Sequence, residues 1–182
     1  MSAPESPTRA GVTVAERRAG LVEVSARRGR TTELGTALQE QLGVALPEPG
    51  RASAHGDVAA LWIAPATALI VGPPARLQAL RTAVPPAIAA VVDQGGGFAL
   101  IRLAGPHAAA ALAKGCRIDL DPRAFGAGRV ARTIIAQVPA IVHRIDAAPN
   151  FDLLVPATLA RSFVEFLLHA TEEFGCDVVA PA

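Results

Sequence analysis

The sequence contains no tyrosine, one tryptophan and one lysine among its 182 residues. Platforms that stack single-stranded nucleic acid need several exposed aromatic rings, and an aromatic content of 4% does not provide them. The formal net charge is only +1, so no strongly basic face for capturing nucleic acid is expected either. We therefore expect no nucleic-acid partner.

Long hydrophobic runs are also missing. No apolar run approaches the roughly 20 residues that a helix needs to span a bilayer. The first residues, Met-Ser-Ala-Pro-Glu-Ser-Pro-Thr, lack the basic stretch followed by an apolar stretch that begins a signal peptide. These features predict a cytoplasmic protein without a membrane partner. Residues 1–10 are expected to form a flexible tail, and residues 11–182 a single domain.

Cysteine is scarce as well. Cys116 and Cys176 stand 60 positions apart, and the sequence alone leaves their redox state open. No CxxC pair is present, and no histidine has HxH or HExxH spacing, so no metal site is predicted. The four histidines are expected to be surface or partner-facing residues. His143, which interrupts a strand beside Arg144, has the strongest case of the four for a functional role, but the surface or partner-facing interpretation is favoured there too.

The apolar residues that are present follow strand and helix periodicities. Strands are predicted at 21–26, 59–63, 68–71, 88–93, 98–103, 130–137, 140–146 and 150–155. Helices are predicted at 31–42, from residue 73 or 74 to before 84, from 105–106 onward, and at 157–174. Thr31 or Thr32, and Thr158, are candidate helix caps. The order indicates an α+β fold in which a β-α-β-β pattern recurs loosely, without a fixed-period sequence repeat.

The connecting segments carry further predictions. Residues 46–56 are rich in proline, glycine and alanine and are expected to form a surface connection. Gly95-Gly96-Gly97 could cradle a phosphate, but a strand and not a helix follows, so a hairpin turn is the favoured interpretation. Pro139 and residues 147–149 are predicted to form the turns between the last three strands.

Few residues offer catalytic chemistry. Asp119, Asp121 and Arg123 form a charged cluster that could perform acid–base work, although a solvated loop ordered by Asp–Arg pairing is favoured. Cys116, with Lys114 nearby, could be a reactive thiol, although a packed thiol is favoured. We predict no catalytic, cofactor-binding or metal-binding residue in this chain.

Trp62 and the arginines of the second half are candidates for contacts with another protein. The single tryptophan is expected in the core or at a partner interface. Arginine is enriched at interfaces because its planar guanidinium binds carboxylates in two places. We hypothesise that some of five arginines anchor a partner chain, against the alternative that they are solvated: Arg123, Arg129, Arg132, Arg144 and Arg161.

Two sets of motifs resemble known families. Residues 92–94, the strand at 99–103, and Gly105-Pro106-His107-Ala108 followed by Leu112 resemble the glycine-cleavage T-protein superfamily. Residues 112–116, 119–122, 125 and 128–129 are more specifically similar to the gamma subunit family of heterotetrameric sarcosine oxidase. The same holds for residues 133, 151–156, 161–163 and 173–175. The resemblance extends over roughly residues 88–175.

The resemblance implies a T-protein-like domain of mainly antiparallel sheets with packed helices. It implies a non-catalytic subunit that docks on the alpha subunit of a complex that converts sarcosine to glycine, a one-carbon unit and hydrogen peroxide. The implied partners are flavin-binding alpha and beta subunits and a small delta subunit. FAD, FMN, NAD and tetrahydrofolate are implied for those partners, and no cofactor for this chain.

The sequence departs from the related families at two places. The T-protein aspartate beside folate matches Asp119, but Ile118 replaces the asparagine that precedes it. Lys114-Gly115-Cys116 continues differently from the Lys-Gly-Cys motif of a relative in iron–sulfur cluster maintenance, so that activity is not transferred. Three alternatives stay open: a related N-methyl amino-acid (for example N-methylglutamate) oxidoreductase complex, a free-standing folate-binding protein, and a thiol enzyme dependent on Cys116.

Overall fold

Two successive stretches of the chain fold into the same order of elements. A computed structural model describes residues 11–180, so the predicted tail at residues 1–10 lies outside the described residues. After β1 (Val12–Glu16), the first repeat consists of β2 (Gly20–Ala26), α1 (Thr31–Leu42), β3 (Ala52–His55), β4 (Val58–Ala64), β5 (Thr67–Gly72), α2 (Pro74–Ala83) and β6 (Ala89–Asp93).

The second repeat has the same seven elements in the same order. These are β7 (Phe98–Ala104), α3 (Ala108–Ala113), β8 (Val130–Ile135), β9 (Val138–Arg144), β10 (Phe151–Pro156), α4 (Ala160–Thr171) and β11 (Cys176–Val179). Short 3-10 turns precede and follow α4.

Each repeat builds one sheet. The first sheet has the strand order β3-β4-β5-β2-β6, and the second has β8-β9-β10-β7-β1-β11. The two orders are identical except that β1 lies between β7 and β11. All neighbouring strands are antiparallel except β1 and β11. The predicted α+β class with mainly antiparallel sheets is therefore confirmed.

The sheets pack face to face, and the helices cover their outer faces. A hydrophobic cluster between the sheets joins Leu21 and Leu69 of the first repeat to Leu100 and Leu154 of the second. The α1 and α2 helices bury their leucines against the first sheet, and α3 and α4 cover the second. The resulting order of layers is helix, sheet, sheet, helix, in which each sheet is buried on both faces.

The helices begin and end largely as the sequence predicts. Leu34, Leu38 and Leu42 recur every fourth residue and form the buried stripe of α1. Gly43 ends this helix at φ 75°, a left-handed conformation that glycine adopts without a Cβ clash. The predicted threonine caps are wrong, because neither α1 nor the turn before α4 has a side-chain capping hydrogen bond.

Three predicted connections differ from the structure. Gly95–Gly97 does not close a hairpin, because β6 belongs to the first sheet and β7 to the second. Residues 46–56 contain a strand, β3, and are not only a surface connection. The turn between β8 and β9 lies at Ala136 and Gln137, both with positive φ, and Pro139 lies inside β9. The antiparallel pairing of β8, β9 and β10 is confirmed.

Candidate functional site

Two clefts open between the sheets, one on each side of the shared hydrophobic cluster. We call the first the charged cleft; it has a volume of about 450 Å³ and is lined by Arg17, Arg102, His143 and Asp152. We call the second the apolar cleft; it has a volume of about 860 Å³ and is lined by Trp62, Phe98, Ile134 and Pro139.

The repeat relates the two clefts to each other. Gly50-Arg51 and Gly128-Arg129 occupy equivalent places before β3 and β8, and the two arginines form a β-bridge with each other. Both glycines have φ near 70°. Starting from these two arginines, the strand registers assign to each residue of the first sheet its equivalent in the second. The row Arg102, Asp152 and His143 in the second sheet thus matches the row Glu23, Leu69 and Leu61 in the first.

A carboxylate bound by two arginines forms the centre of the charged cleft. Asp152 lies on β10 directly opposite Arg102 on β7, and both point to the face between the sheets. The Nε and Nη2 of Arg102 donate to the two carboxylate oxygens at 2.9 Å, and the Nη1 of Arg17 donates at 2.9 Å. Three charge-assisted hydrogen bonds therefore hold a carboxylate that is 9% exposed.

His143 lies on the other side of Asp152, directly opposite it on β9. It is 7% exposed, and among residues 11–180 its ring donates or accepts no hydrogen bond. Burial lowers the pKa of His143; Asp152 opposes this shift, and Arg102 adds to it. The imidazole is thus neutral at pH 7, with one N–H donor and one acceptor nitrogen.

The lowered pKa of His143 predicts a pH dependence of folding. A neutral buried histidine stabilises the folded state above the unfolded pKa of about 6.5, and this contribution is lost as the pH falls below that value. The free energy of unfolding should therefore fall between pH 7.5 and 5.5, and the fall should be smaller for His143→Leu. Urea unfolding at both pH values measures this difference. An equal pH dependence in the two proteins would contradict the assignment of a lowered pKa.

The apolar cleft contains the single tryptophan. Trp62 is half-buried on β4, so it is not a core residue, and its position at a partner interface stays a prediction. The Nη1 of Arg132 donates to the carbonyl of Ile63 at 3.2 Å and ties β8 to β4 along this cleft. The exposed fraction of Ile134 is 40%, so the wall of the cleft presents apolar surface to solvent.

The segment Lys114-Gly115-Cys116 follows α3, and its first two residues pack against α4. The Nζ of Lys114 donates to the carbonyl of Ala170 at 2.7 Å and lies 4.9 Å from the ring centre of Phe174. A Cβ on Gly115 would lie 2.5 Å from the ring of Phe166. Only glycine fits this approach without a shift, so the motif performs a packing role.

The thiol of Cys116 is half-buried beside these contacts. Burial raises the pKa of Cys116, against a smaller lowering by the backbone of Ile118 and Arg117. The favoured interpretation of a packed thiol is thus supported over that of an activated nucleophile, which needs a lowered pKa.

The raised pKa of Cys116 predicts slow alkylation. In a Cys176→Ser variant, Cys116 should react with iodoacetamide at pH 8 severalfold more slowly than in the same protein unfolded in urea. Mass spectrometry of timed samples measures both rates. A folded protein that reacts faster than the unfolded chain would reinstate the thiol-enzyme alternative.

The charged cluster at residues 119–123 is a solvated loop. The guanidinium of Arg123 donates to both carboxylate oxygens of Asp121 at 2.9 and 3.2 Å. This exposed pairing lowers the pKa of Asp121. Asp119 is exposed and accepts a hydrogen bond from the backbone of Asp121, as in an Asx turn. The favoured interpretation as an ordered loop is confirmed.

The five candidate anchor arginines divide into different environments. Arg144 is 2% exposed, so the hypothesis of a partner-facing side chain is wrong for it. Arg123 and Arg161 are exposed and pair with carboxylates on their own segments. Arg132 lines the apolar cleft, and Arg129 forms the bridge with Arg51 where β3 and β8 begin. The exposed arginines, Arg123, Arg132 and Arg161, thus remain available for contacts with another chain.

The other histidines lie apart from one another. His107 is exposed and stacks on Phe174 at a ring distance of 4.8 Å. His55 and His169 are also exposed. In the part of the chain that the structure describes, no three metal-ligating side chains come together. No helix within residues 11–180 is long and apolar enough to cross a membrane.

Comparison with known proteins identifies the family. The model of the sarcosine oxidase gamma subunit family matches residues 29–173. The chain belongs to this family. It is 32% identical to the sarcosine oxidase gamma subunit of Corynebacterium sp. strain U-96, over 82% of this chain and 80% of that protein. It is also 31% identical to the gamma subunit of an Arthrobacter species, over 81% of this chain and 70% of that protein.

Solved structures agree with this membership in the sarcosine oxidase gamma subunit family. A chain of the heterotetrameric sarcosine oxidase from Corynebacterium sp. U-96, in complex with pyrrole 2-carboxylate, superimposes with a TM-score of 0.80 at 30% identity. The alignment covers 90% of this chain and 85% of that one. The aminomethyltransferase T of the glycine cleavage system from Bartonella henselae superimposes with a TM-score of 0.70 at 19% identity. That alignment covers 94% of this chain and 48% of that one. The T-protein-like fold predicted from the motifs is therefore confirmed.

Sequence reasoning located His143 but not the residues that surround it. Arg102 and Asp152 come from two separate strands and Arg17 from the segment that follows β1, and nothing in their spacing marks them as neighbours. Asp152 sits in an otherwise apolar strand, Phe-Asp-Leu-Leu-Val, and this isolated acid was the one signal that could have been used. A carboxylate buried in a strand needs charged partners, which would have directed attention to the arginines.

Proposed function

We propose that this chain is the non-catalytic gamma subunit of a heterotetrameric sarcosine oxidase. In this assignment it docks on the alpha subunit and stabilises the assembly, while other subunits perform the oxidative demethylation of sarcosine to glycine. The observation that carries the proposal is the family match over residues 29–173, together with a relative that is part of a heterotetrameric sarcosine oxidase.

The remaining elements of the assignment follow from the family. The partners are flavin-binding alpha and beta subunits and a small delta subunit, in the cytoplasm. FAD, FMN and NAD belong to those partners, as does tetrahydrofolate, which receives the one-carbon unit. Asp119, the residue at the T-protein folate position, is exposed and hydrogen-bonded within its own loop, which favours a scaffold role over folate binding by this chain.

The surface of the chain is suited to docking. Apolar side chains stand exposed on three separate elements: Ile134 on β8, Val92 on β6, and Val178 and Val179 on β11. Val178 is 68% exposed, at the edge of the second sheet. Stable subunit interfaces bury on the order of 2,000 Å² or more and are more apolar than ordinary surface, so a second chain would cover such residues.

Coexpression of this chain with the alpha, beta and delta subunits of the same organism tests the proposal. With all four chains present, one complex should elute by size exclusion and produce hydrogen peroxide from sarcosine. Omitting this chain should reduce the yield of the assembled complex, and the chain alone should produce no peroxide. Comparing sarcosine with N-methylglutamate as substrates then separates the two N-methyl amino-acid assignments.

Two results would overturn the proposal. One is a fully active and equally stable complex that forms without this chain. The other is peroxide formation from sarcosine by the purified chain alone. Calorimetric titration of the chain with tetrahydrofolate is a further test, since micromolar binding would favour the folate-binding alternative.

A further inference from the structure

The charged cleft contains polar residues that the fold itself does not require. Between the sheets, apolar residues of the two repeats match in pairs: Leu21 with Leu100, Val71 with Leu154, Ala59 with Ile141, and Ala52 with Val130. Leu61 and Leu69 belong to the same cluster, but their equivalents are His143 and Asp152. The first repeat therefore buries two leucines where the second has two titratable side chains.

Burying a polar group costs free energy unless a hydrogen bond compensates it. Asp152 is compensated by Arg17 and Arg102. No such compensation exists for His143, which is only 7% exposed and has no hydrogen-bond partner among residues 11–180. Neither ring nitrogen is among the atoms that are both buried and without a partner, so each keeps some accessible surface, and the residue lines the charged cleft.

The charge balance of the cleft favours an anion. Arg17 and Arg102 carry two positive charges against the single negative charge of Asp152. Two guanidinium groups offer ten N–H donors in total, and Asp152 accepts three of them. Arg18 at the rim adds positive charge, whereas the other acid of the cleft, Asp57, is paired with Arg76 at 2.7 Å.

The shape of the cleft favours a small organic molecule. Its volume of about 450 Å³ falls in the usual range for small-molecule sites. Leu61, Val71, Leu100 and Leu154 provide apolar walls beside the arginines. An arginine binds a carboxylate through two parallel hydrogen bonds, a geometry that a point charge does not offer.

We infer that the charged cleft is a binding site for a small organic carboxylate. Free N–H groups of Arg17 and Arg102 bind the carboxylate, His143 forms a hydrogen bond with it or with an adjoining polar group, and the leucines contact the apolar part. This inference rests on the cleft alone and holds whether or not the chain docks on another subunit.

Butyrate is a suitable probe, with the uncharged isostere butyramide as its control. Two-dimensional NMR of the full-length chain at pH 7 follows the His143 ring, whose resonances are assigned by their loss in His143→Leu. Butyrate should shift these resonances saturably, with an affinity at least about tenfold higher than that of butyramide.

Three variants locate the site, with binding followed through backbone amide resonances. Arg17→Gln removes one cation from the rim, and His143→Leu restores the residue that the first repeat has at this position. Each should weaken butyrate binding by roughly tenfold. Arg132→Gln, a matched change in the apolar cleft, should leave the affinity unchanged. Because Leu61 is tolerated at the equivalent position, His143→Leu is expected to fold.

Several results would overturn the inference. These are the absence of a saturable shift with butyrate, equal affinities for butyrate and butyramide, and unchanged affinity in both Arg17→Gln and His143→Leu. An equal loss of affinity in Arg132→Gln would place the binding outside the charged cleft and would also refute it.

Discussion

Replacing Arg144 with methionine is expected to lower the free energy of unfolding by about 3–5 kcal/mol. The guanidinium is almost completely buried and donates to four backbone carbonyls, those of Leu120, Phe125, Asp146 and Ala147, at 3.1–3.3 Å. It also lies 5.6 Å from the ring centre of Phe151. Methionine has a similar length but no donor, so the buried carbonyls lose their partners.

The effect of Arg144→Met should extend to the irregular segment between α3 and β8. Arg144 binds this segment at two carbonyls, and the side chains of Leu120 and Phe125 are buried next to them. Urea unfolding followed by circular dichroism gives the stability, and limited proteolysis should show new cleavage within residues 114–128. Arg144→Lys keeps the charge but not the planar set of donors, so its free energy of unfolding should lie between that of the unsubstituted protein and that of Arg144→Met.

Arg161→Met is the matched control for Arg144. Arg161 is exposed, and among the described residues it pairs only with Glu165, one turn along the same helix, so its loss should cost less than about 0.5 kcal/mol. Equal losses of stability in Arg144→Met and Arg161→Met would show that the buried hydrogen bonds contribute little.

Replacing Gly105 with alanine is expected to lower the free energy of unfolding by about 2–4 kcal/mol. Gly105 has φ 118°, a conformation that residues with a Cβ rarely adopt. An added Cβ would lie 2.6 Å from the carbonyl oxygen of Gly11 and 3.1 Å from the Cα of Val12. Both atoms belong to the backbone at the start of β1, so a side-chain rotation cannot relieve the overlap.

Gly29→Ala separates the two contributions at Gly105. Gly29 also has a positive φ, 75°, but no atom of residues 11–180 lies within 4 Å of the position of an added Cβ. This variant should lose about 1 kcal/mol, the cost of the left-handed backbone alone. Urea unfolding followed by the fluorescence of Trp62 measures both variants in the same way. A loss at Gly105 no larger than that at Gly29 would contradict the close approach of β1.

Most helices and paired strands were predictable, because their patterns are local. The α1 helix has a leucine stripe and a terminal glycine, and α2 begins at a proline in its first turn. The β4–β5 and β8–β10 strands follow one another through short turns, so neighbours in sequence are neighbours in space.

Two of the three strands that sequence reasoning missed, β1 and β11, depend on distant partners, whereas β3 pairs with its neighbour β4. β1 and β11 have only five and four residues and pair with each other across the length of the chain. Gly95–Gly97 has the composition of a hairpin turn. Because β6 belongs to the first sheet and β7 to the second, it is instead the connection between the two sheets. The repeat was visible as a loose pattern, but the two halves have too few residues in common to align without their registers.

The candidate site was the least predictable part for the same reason. His143 drew attention because a polar residue in an apolar strand is unusual, yet its role depends on Asp152 opposite, on Arg102 of β7 and on Arg17, which follows β1. The five arginines could not be sorted by sequence, because burial decides whether a guanidinium faces a partner or its own backbone. Arg144 and Arg161 have the same side chain in opposite environments.

The position of β1 has a consequence for synthesis on the ribosome. β1 is synthesised before the first repeat, but its neighbours are β7 and β11 of the second repeat, and β11 follows the other strands of residues 11–180. The first repeat can complete its own sheet while translation continues, whereas the strand that precedes it stays unpaired along at least one edge. The nascent chain therefore holds an open strand edge until β11 has been synthesised, and a chaperone that covers residues 12–16 would protect it during that interval.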